Sequence, residues 1–297
     1  MDIGAQLFTV RDYCKNLDDF AETLQKVAAI GYTTVQVSGT CGYEPGWLKE
    51  QLDKTGLRCV LTHTGLNRMR EMPLQVVEDH KTFDCRYIGI GCAPNALKNG
   101  EQDWQELMGV IDAAAKPFAE NGCYLMYHNH ALEFQRCDDG RTYFDRLLAD
   151  YPAELLGITV DTYWLQAAGL TPADTIRGLK GRVPCVHLKD MAVKGNEHIL
   201  APVGSGNMDF DAIIAACADA GTQHLLVEQD HCYEEDPFDC LTKSYQFLRS
   251  RGLGLWKRFV LASSVSAIWA PAIPTTFRRA NARRWRSPPW RIPIPPV

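Results

Sequence analysis

Short apolar runs rich in β-branched and aromatic residues recur along the chain at 3–8, 33–38, 59–64, 87–92, 123–129, 157–163, 185–189 and 224–229. Such runs read as strands, and each is followed by a stretch with helical spacing or helix punctuation. Leu17, Phe20, Ala21, Leu24, Val27 and Ala28 share one helical face, and the pattern stops at Gly31, a residue type suited to a left-handed exit. The segments 48–55, 106–120, 211–220 and 238–251 stop in the same way near Gly56, Gly122, Gly221 and Gly252. Thr171 followed by Pro172 predicts a further helix start, with Thr as the N-cap and Pro in the first turn. The strands are continuous apolar runs more than strict alternations, as expected of a parallel sheet covered by helices. Eight strand-helix units in about 250 residues predict an α/β chain folded as one (β/α)8 TIM barrel, with its site at the C-terminal ends of the strands. An open doubly wound sheet fits less well, because no G-x-G-x-x-G follows the first strand.

The pattern ends after Gly254. Residues 255–297 hold seven of the chain's 16 prolines, four of its seven tryptophans and eight basic residues without an acidic one. This segment is expected to be an atypical, disordered tail outside the barrel of residues 1–254. Its apolar stretch 259–273 is shorter than the roughly 20 residues of a membrane span and contains Pro271, so no transmembrane helix is predicted. The net charge of −5 hides a barrel that is far more acidic, with 23 basic against 36 acidic side chains. An acidic body argues against nucleic acid as a partner. The N-terminus lacks the basic and apolar regions of a secretory signal, and the 11 cysteines contain no C-x-x-C pair. A cytoplasmic protein with reduced thiols is the expectation.

Barrel geometry makes the late residues of each run the place to look for chemistry. Run three ends in Thr62-His63-Thr64, run five in His128-Asn129-His130 with Glu133 beyond, and run six in Asp161-Thr162-Tyr163-Trp164. Run seven ends in His187-Leu188-Lys189-Asp190 and run eight in Glu228-Gln229-Asp230. Glu133, Asp161, His187 and Glu228 would give three carboxylates and one imidazole at one mouth. That oxygen-rich set suits one divalent cation, Mn²⁺ first, with Mg²⁺ or Co²⁺ as alternatives. Trp164 and Trp47 could stack on a sugar face. Gly204-Ser205-Gly206, just before a helix start, could cradle a phosphate, or could simply turn the chain with Asp209 as the helix cap.

The stretches "GAQLFTVRD", "YHNHALEF", "VDTYW", "VHLKD", "PVGSGNMDF" and "LLVEQD", in that order over residues 1–253, resemble the xylose-isomerase-like superfamily of sugar phosphate isomerases/epimerases. Inosose dehydratases, ketose 3-epimerases and AP endonucleases of the endonuclease IV type belong to the same group. The resemblance implies a metal held by Glu133, Asp161, His187 and Glu228. Ketose 3-epimerases place their first ligand earlier in the strand, where this chain has Tyr127-His128, so His128 or His130 is the substitute if Glu133 does not serve.

The activity implied is proton transfer beside a sugar carbonyl through an enediolate, giving an isomerase or epimerase. Glu133 and Glu228 would exchange the proton, with His130 as an acid, and His63, His128, Asn129, Trp164 and Lys189 would contact a carbohydrate. The alternative is a lyase or dehydratase eliminating from a keto-sugar, keto-glycoside or inosose, which "YHNH" resembles more than the epimerase pattern. The expected partner is a small carbohydrate, with no membrane, and a homo-oligomer is compatible with the pattern.

Overall fold

A computed structural model describes residues 1–254 of the 297. The 255–297 tail, and with it the expectation of disorder, lies outside the described residues. The strands are β1 (Asp2–Gln6), β2 (Thr34–Val37), β3 (Arg58–His63), β4 (Tyr87–Ile90), β5 (Tyr124–His128), β6 (Leu156–Asp161), β7 (Cys185–Leu188), β8 (Asp190–Lys194), β9 (Glu197–Ala201) and β10 (His224–Val227). Eight of them close into a barrel in the order β1-β10-β7-β6-β5-β4-β3-β2, and every neighbouring pair is parallel. The predicted (β/α)8 barrel is therefore present.

Two details differ from the expectation. Every barrel strand stops one or two residues before its apolar run does, at the first and sixth because Leu7–Tyr13 tightens into a 3₁₀ helix and Thr162 already begins the helix Thr162–Ala167. In addition, β8 and β9 form an antiparallel hairpin directly after β7, unsuspected because "DMAVK" and "EHILA" are half polar and buried only at the hairpin's base.

Helix ends behave as their residues dictate. Asn16 accepts from the Asp19 amide at the start of Leu17–Ile30, and Gly31 ends that helix at φ 118, where a Cβ would also collide with the Tyr245 ring. Asp209 caps Phe210–Ala220 through the Ala212 amide. Thr171 precedes Pro172–Gly178 as expected, but its hydroxyl makes no capping bond, so proline alone sets that start.

The strands alternate after all. Val35, Val37, Ile158, Val160, Val186, Leu188, Leu225 and Val227 belong to the main apolar core. The intervening residues Leu61, Tyr87, Met126, Cys185 and Leu226 form a smaller cluster of their own inside the barrel. One step later along those inner rows the chemistry changes: Leu61 gives way to His63, Met126 to His128, Cys185 to His187 and Leu226 to Glu228. The apolar plug at one end and the polar set at the other thus sit on the same rows. All 11 cysteines are free. Among the described residues no helix is long and apolar enough to cross a membrane.

Candidate active site

The polar set is placed by register. Asp161 of β6 pairs directly with His187 of β7, and His128 of β5 pairs with Thr159, two residues before Asp161 on the same face. Glu228 follows β10, its amide donating to Leu188 O at 3.1 Å. Ligand atoms of His128, Asp161, His187 and Glu228 all lie within 4.8 Å of one another, and all four residues are buried. This cluster is able to bind a metal ion.

Glu133 is not in the cluster. Its Oε1 accepts from the Tyr127 hydroxyl at 2.6 Å and its Oε2 from the His130 amide at 2.7 Å. Glu133 stands in a short 3₁₀ turn after β5, where it ties the loop to the strand's outward side chain Tyr127. The residue that takes its place is His128, two positions beyond the inward Met126. Strand parity was the available signal, since a residue five places past the strand end has no fixed direction.

The two imidazoles are oriented by acceptors behind them. His128 Nδ1 lies 3.0 Å from Gly91 O, and His187 Nε2 lies 2.6 Å from Gln36 Oε1. Both partners are carbonyl oxygens, so those ring nitrogens carry the protons and donate them. The remaining ring nitrogens then face carboxylates: His128 Nε2 is 3.3 Å from Asp161 Oδ2, and His187 Nδ1 is 2.8 Å from Glu228 Oε2. Asp161 and Glu228 push His128 toward its charged form against the cost of burial, so proton and metal ion compete for that nitrogen, and an outer acceptor fixing the ring is the usual arrangement behind a metal-ligating histidine. Neither His187 Nδ1 nor Glu228 Oε2 makes a well-directed hydrogen bond, although both are buried and in ion-pair contact.

A buried ammonium completes the electrostatics. Lys189, 1% exposed, places Nζ 3.0 Å from Asp161 Oδ2, 3.2 Å from Glu228 Oε2 and 3.1 Å from Asp230 Oδ1. Burial by itself would lower its pKa, but the three carboxylates outweigh burial and raise it, so it is charged. Burial opposes ionisation of Asp161 and Glu228 as well; for both, the Lys189 charge and a neighbouring histidine reverse the direction and hold the carboxyl below its ordinary value. Asp230 is pushed up by burial and by Glu228. Three carboxylates against one ammonium leave a formal charge of −2, which a single dication would neutralise.

The cluster opens into a cavity of about 590 Å³ whose walls include Phe8, Arg11, His63, His130, Lys189 and Glu228. His63 accepts or donates at Ser38 Oγ through Nδ1 at 3.0 Å and leaves Nε2 without a partner. Burial lowers its pKa, and so do the adjacent His128 and His187 rings. His130, beside Trp164 at 5.4 Å between ring centres, is lowered to about 3 by burial and by His128. Both are neutral bases near pH 7. Trp164 also faces Lys189, with Nζ 5.6 Å from its ring centre.

Other predicted contacts have structural partners within the barrel. Asn129 is fully buried and accepts from the Asp161 amide at 3.0 Å, so it positions Asp161. Trp47 packs against Phe20 at 5.3 Å. The glycine loop is already filled: amides of Gly204, Gly206 and Met208 converge on the carboxylate of Asp190, at 2.9, 2.8 and 3.4 Å. An internal anion takes those amides, and a Cβ on Gly206 would strike that same carboxylate.

A family model described as xylose isomerase-like TIM barrel matches residues 24–251. The chain belongs to that family. It is 23% identical over 277 residues to an inosose dehydratase of Erwinia tasmaniensis, covering 78% of this chain and 90% of that protein. Among solved structures, a sugar phosphate isomerase/epimerase from Parabacteroides distasonis superposes with a TM-score of 0.68 at 20% identity, covering 84% of this chain and 94% of the other. The probable 3-DHS dehydratase of Bacillus anthracis gives 0.64 at 17% identity, covering 84% of this chain and 100% of the other. Members of this xylose isomerase-like family thus include isomerases, epimerases and dehydratases, and at these identities the superpositions speak for the fold.

Proposed function

We propose that this xylose isomerase-like barrel is a divalent-metal-dependent enzyme that removes the proton beside a carbonyl of a keto-sugar or inosose and eliminates a β-substituent. The observation that carries the metal is the convergence of His128, Asp161, His187 and Glu228 within 4.8 Å, with both imidazoles braced from behind by carbonyl oxygens. Two imidazoles and two carboxylates suit a first-row transition ion, Mn²⁺ or Co²⁺, better than Mg²⁺, which favours oxygen. Such an ion supplies Lewis-acid polarisation of a carbonyl.

The protein's own groups divide the remaining work. His63 and His130 are neutral, line the cavity and can accept the α-proton; the resulting imidazolium can then protonate the departing oxygen. Lys189 presents a fixed positive charge where negative charge develops on the substrate oxygen. Trp164, beside His130, offers an apolar face for the sugar ring. Support for elimination over epimerisation comes from Glu133: inversion at one carbon needs a base on each face, and the carboxylate that would be the second base is tied to Tyr127 and His130. The similarity to an inosose dehydratase agrees with this reading.

Epimerisation is the second reading, favoured by His63 and Glu228 both lining the cavity. Metal analysis of the purified full-length chain, followed by incubation with keto-sugars, keto-glycosides and inososes in D₂O, separates the two. Elimination yields an enone, or its hydrate, with loss of water or aglycone. A mass-conserving product carrying solvent deuterium would transfer the assignment to epimerisation, and metal-free protein with full activity would end both.

A further inference from the structure

The cation seat already has an internal claimant. Lys189 Nζ contacts Asp161 Oδ2 and Glu228 Oε2, the same two oxygens that His128 Nε2 and His187 Nδ1 approach. It also reaches Asp230 on the far side, at 3.1 Å from both carboxylate oxygens. Asp230 is outside the four-residue cluster, half-buried and lines the cavity.

We propose that Lys189 is a built-in competing cation that weakens divalent-ion binding, and that Asp230 is the seat to which its ammonium withdraws when the ion enters. This inference rests on the metal reading above. Two positive charges sharing the same buried oxygens repel strongly at low effective dielectric. A long, flexible four-carbon stem lets the ammonium move by an ångström or two without leaving a carboxylate partner. In metal-free protein the ammonium keeps Asp161 and Glu228 from facing each other as bare charges; in metal-loaded protein it leans on Asp230 and on whatever oxygen the substrate brings. The arrangement makes ion uptake an exchange of cations, with affinity set by how well Asp230 holds the displaced charge.

Titration of metal-stripped, full-length protein with Mn²⁺ tests this, read as a dissociation constant by calorimetry and by the loss of the free-ion electron paramagnetic signal. Lys189→Met is expected to bind Mn²⁺ at least about tenfold more tightly than wild type, although it removes a polar group. Asp230→Asn is expected to bind severalfold more weakly, and that weakening should vanish when Lys189→Met is also present. A purely structural role for Asp230 would weaken binding equally in both backgrounds, which would overturn the proposal. So would unchanged or weaker binding by Lys189→Met while wild type binds normally. Should Lys189→Met not fold, Asp230→Asn still decides, because unchanged or tighter binding there contradicts a withdrawal seat. Failure of wild type and both variants to bind Mn²⁺ would remove the metal reading itself and this inference with it.

Discussion

The two ends of this barrel both collect charge, and they use it differently. At the N-terminal end, Lys49, Asp53, Arg58, Asp84, Arg86 and His224 surround a cavity of about 310 Å³. There the charges pair locally and in water: Lys49 with Asp53 one helical turn away, and Arg58, 54% exposed on its side chain, with Asp2. At the C-terminal end, Asp161, His187 and Lys189 have side chains at most 2% exposed, and Glu228 only 5%. The charges there do not cancel, and two imidazole nitrogens converge on the carboxylates. A cluster of ionisable residues therefore says little by itself. Burial combined with an unbalanced charge and unsatisfied atoms is what distinguishes a place built for a ligand from a solvated rim.

Replacing a member of each end should break this comparison or sharpen it. The largest effect is expected for Glu228→Gln or Asp161→Asn, each lowering kcat by about a thousandfold, the scale seen when an electrostatic or acid-base group is removed. Glu133→Gln should retain ion binding, measured as bound metal per chain. Loss of the ion in Glu133→Gln but not in His128→Gln would return the ligand set to that implied by resemblance alone. Next comes Asp190→Ala, which strands the amides of Gly204, Gly206 and Met208. About 1–3 kcal/mol of stability should be lost for a buried donor left without its acceptor, read from urea unfolding.

The frame outside both ends makes a smaller, pH-dependent contribution. His80 is buried between Thr62 Oγ1 and Val76 O, at 2.7 Å from each, and burial lowers its pKa from 6.5 to about 4. The unfolded chain therefore takes up this proton first as pH falls. Its stabilising contribution is complete above pH 6.5 and declines between 6.5 and about 4. His80→Gln should lose less stability than wild type between pH 7 and pH 4.5, by about 2 kcal/mol. Equal losses would mean the ring is not held neutral. The smallest effect is expected for Lys49→Ala, within about 1 kcal/mol in stability and about twofold in kcat, as for an exposed ion pair. A large loss of activity there would show that the N-terminal end is not a bystander.

Much of this architecture is legible in the residue pattern. All eight apolar runs became barrel strands, since the burial of such runs under helices depends on local sequence and little else. The terminal glycines Gly31, Gly56 and Gly221 mark helix ends for an equally local reason, their left-handed φ. The hairpin β8-β9 escaped because only its base, Asp190, Met191, Leu200 and Ala201, is buried, while its exposed tip leaves too short an apolar run to read as a strand. Asp161, His187 and Glu228 could be proposed from their position late in the strands, and the fold brings them together with His128.

By itself, then, the sequence determined a parallel barrel, the end at which its polar side chains emerge, and most of the residues that meet there. Closure of the barrel decided the rest. It chose His128 over Glu133, filled the glycine loop with Asp190, and set Lys189 among three carboxylates. Periodicity records which face a residue shows, because that depends on its neighbours in the chain. Which lone pair meets which charge depends on residues as far apart as 128 and 228, and only the packed structure brings them within ångströms.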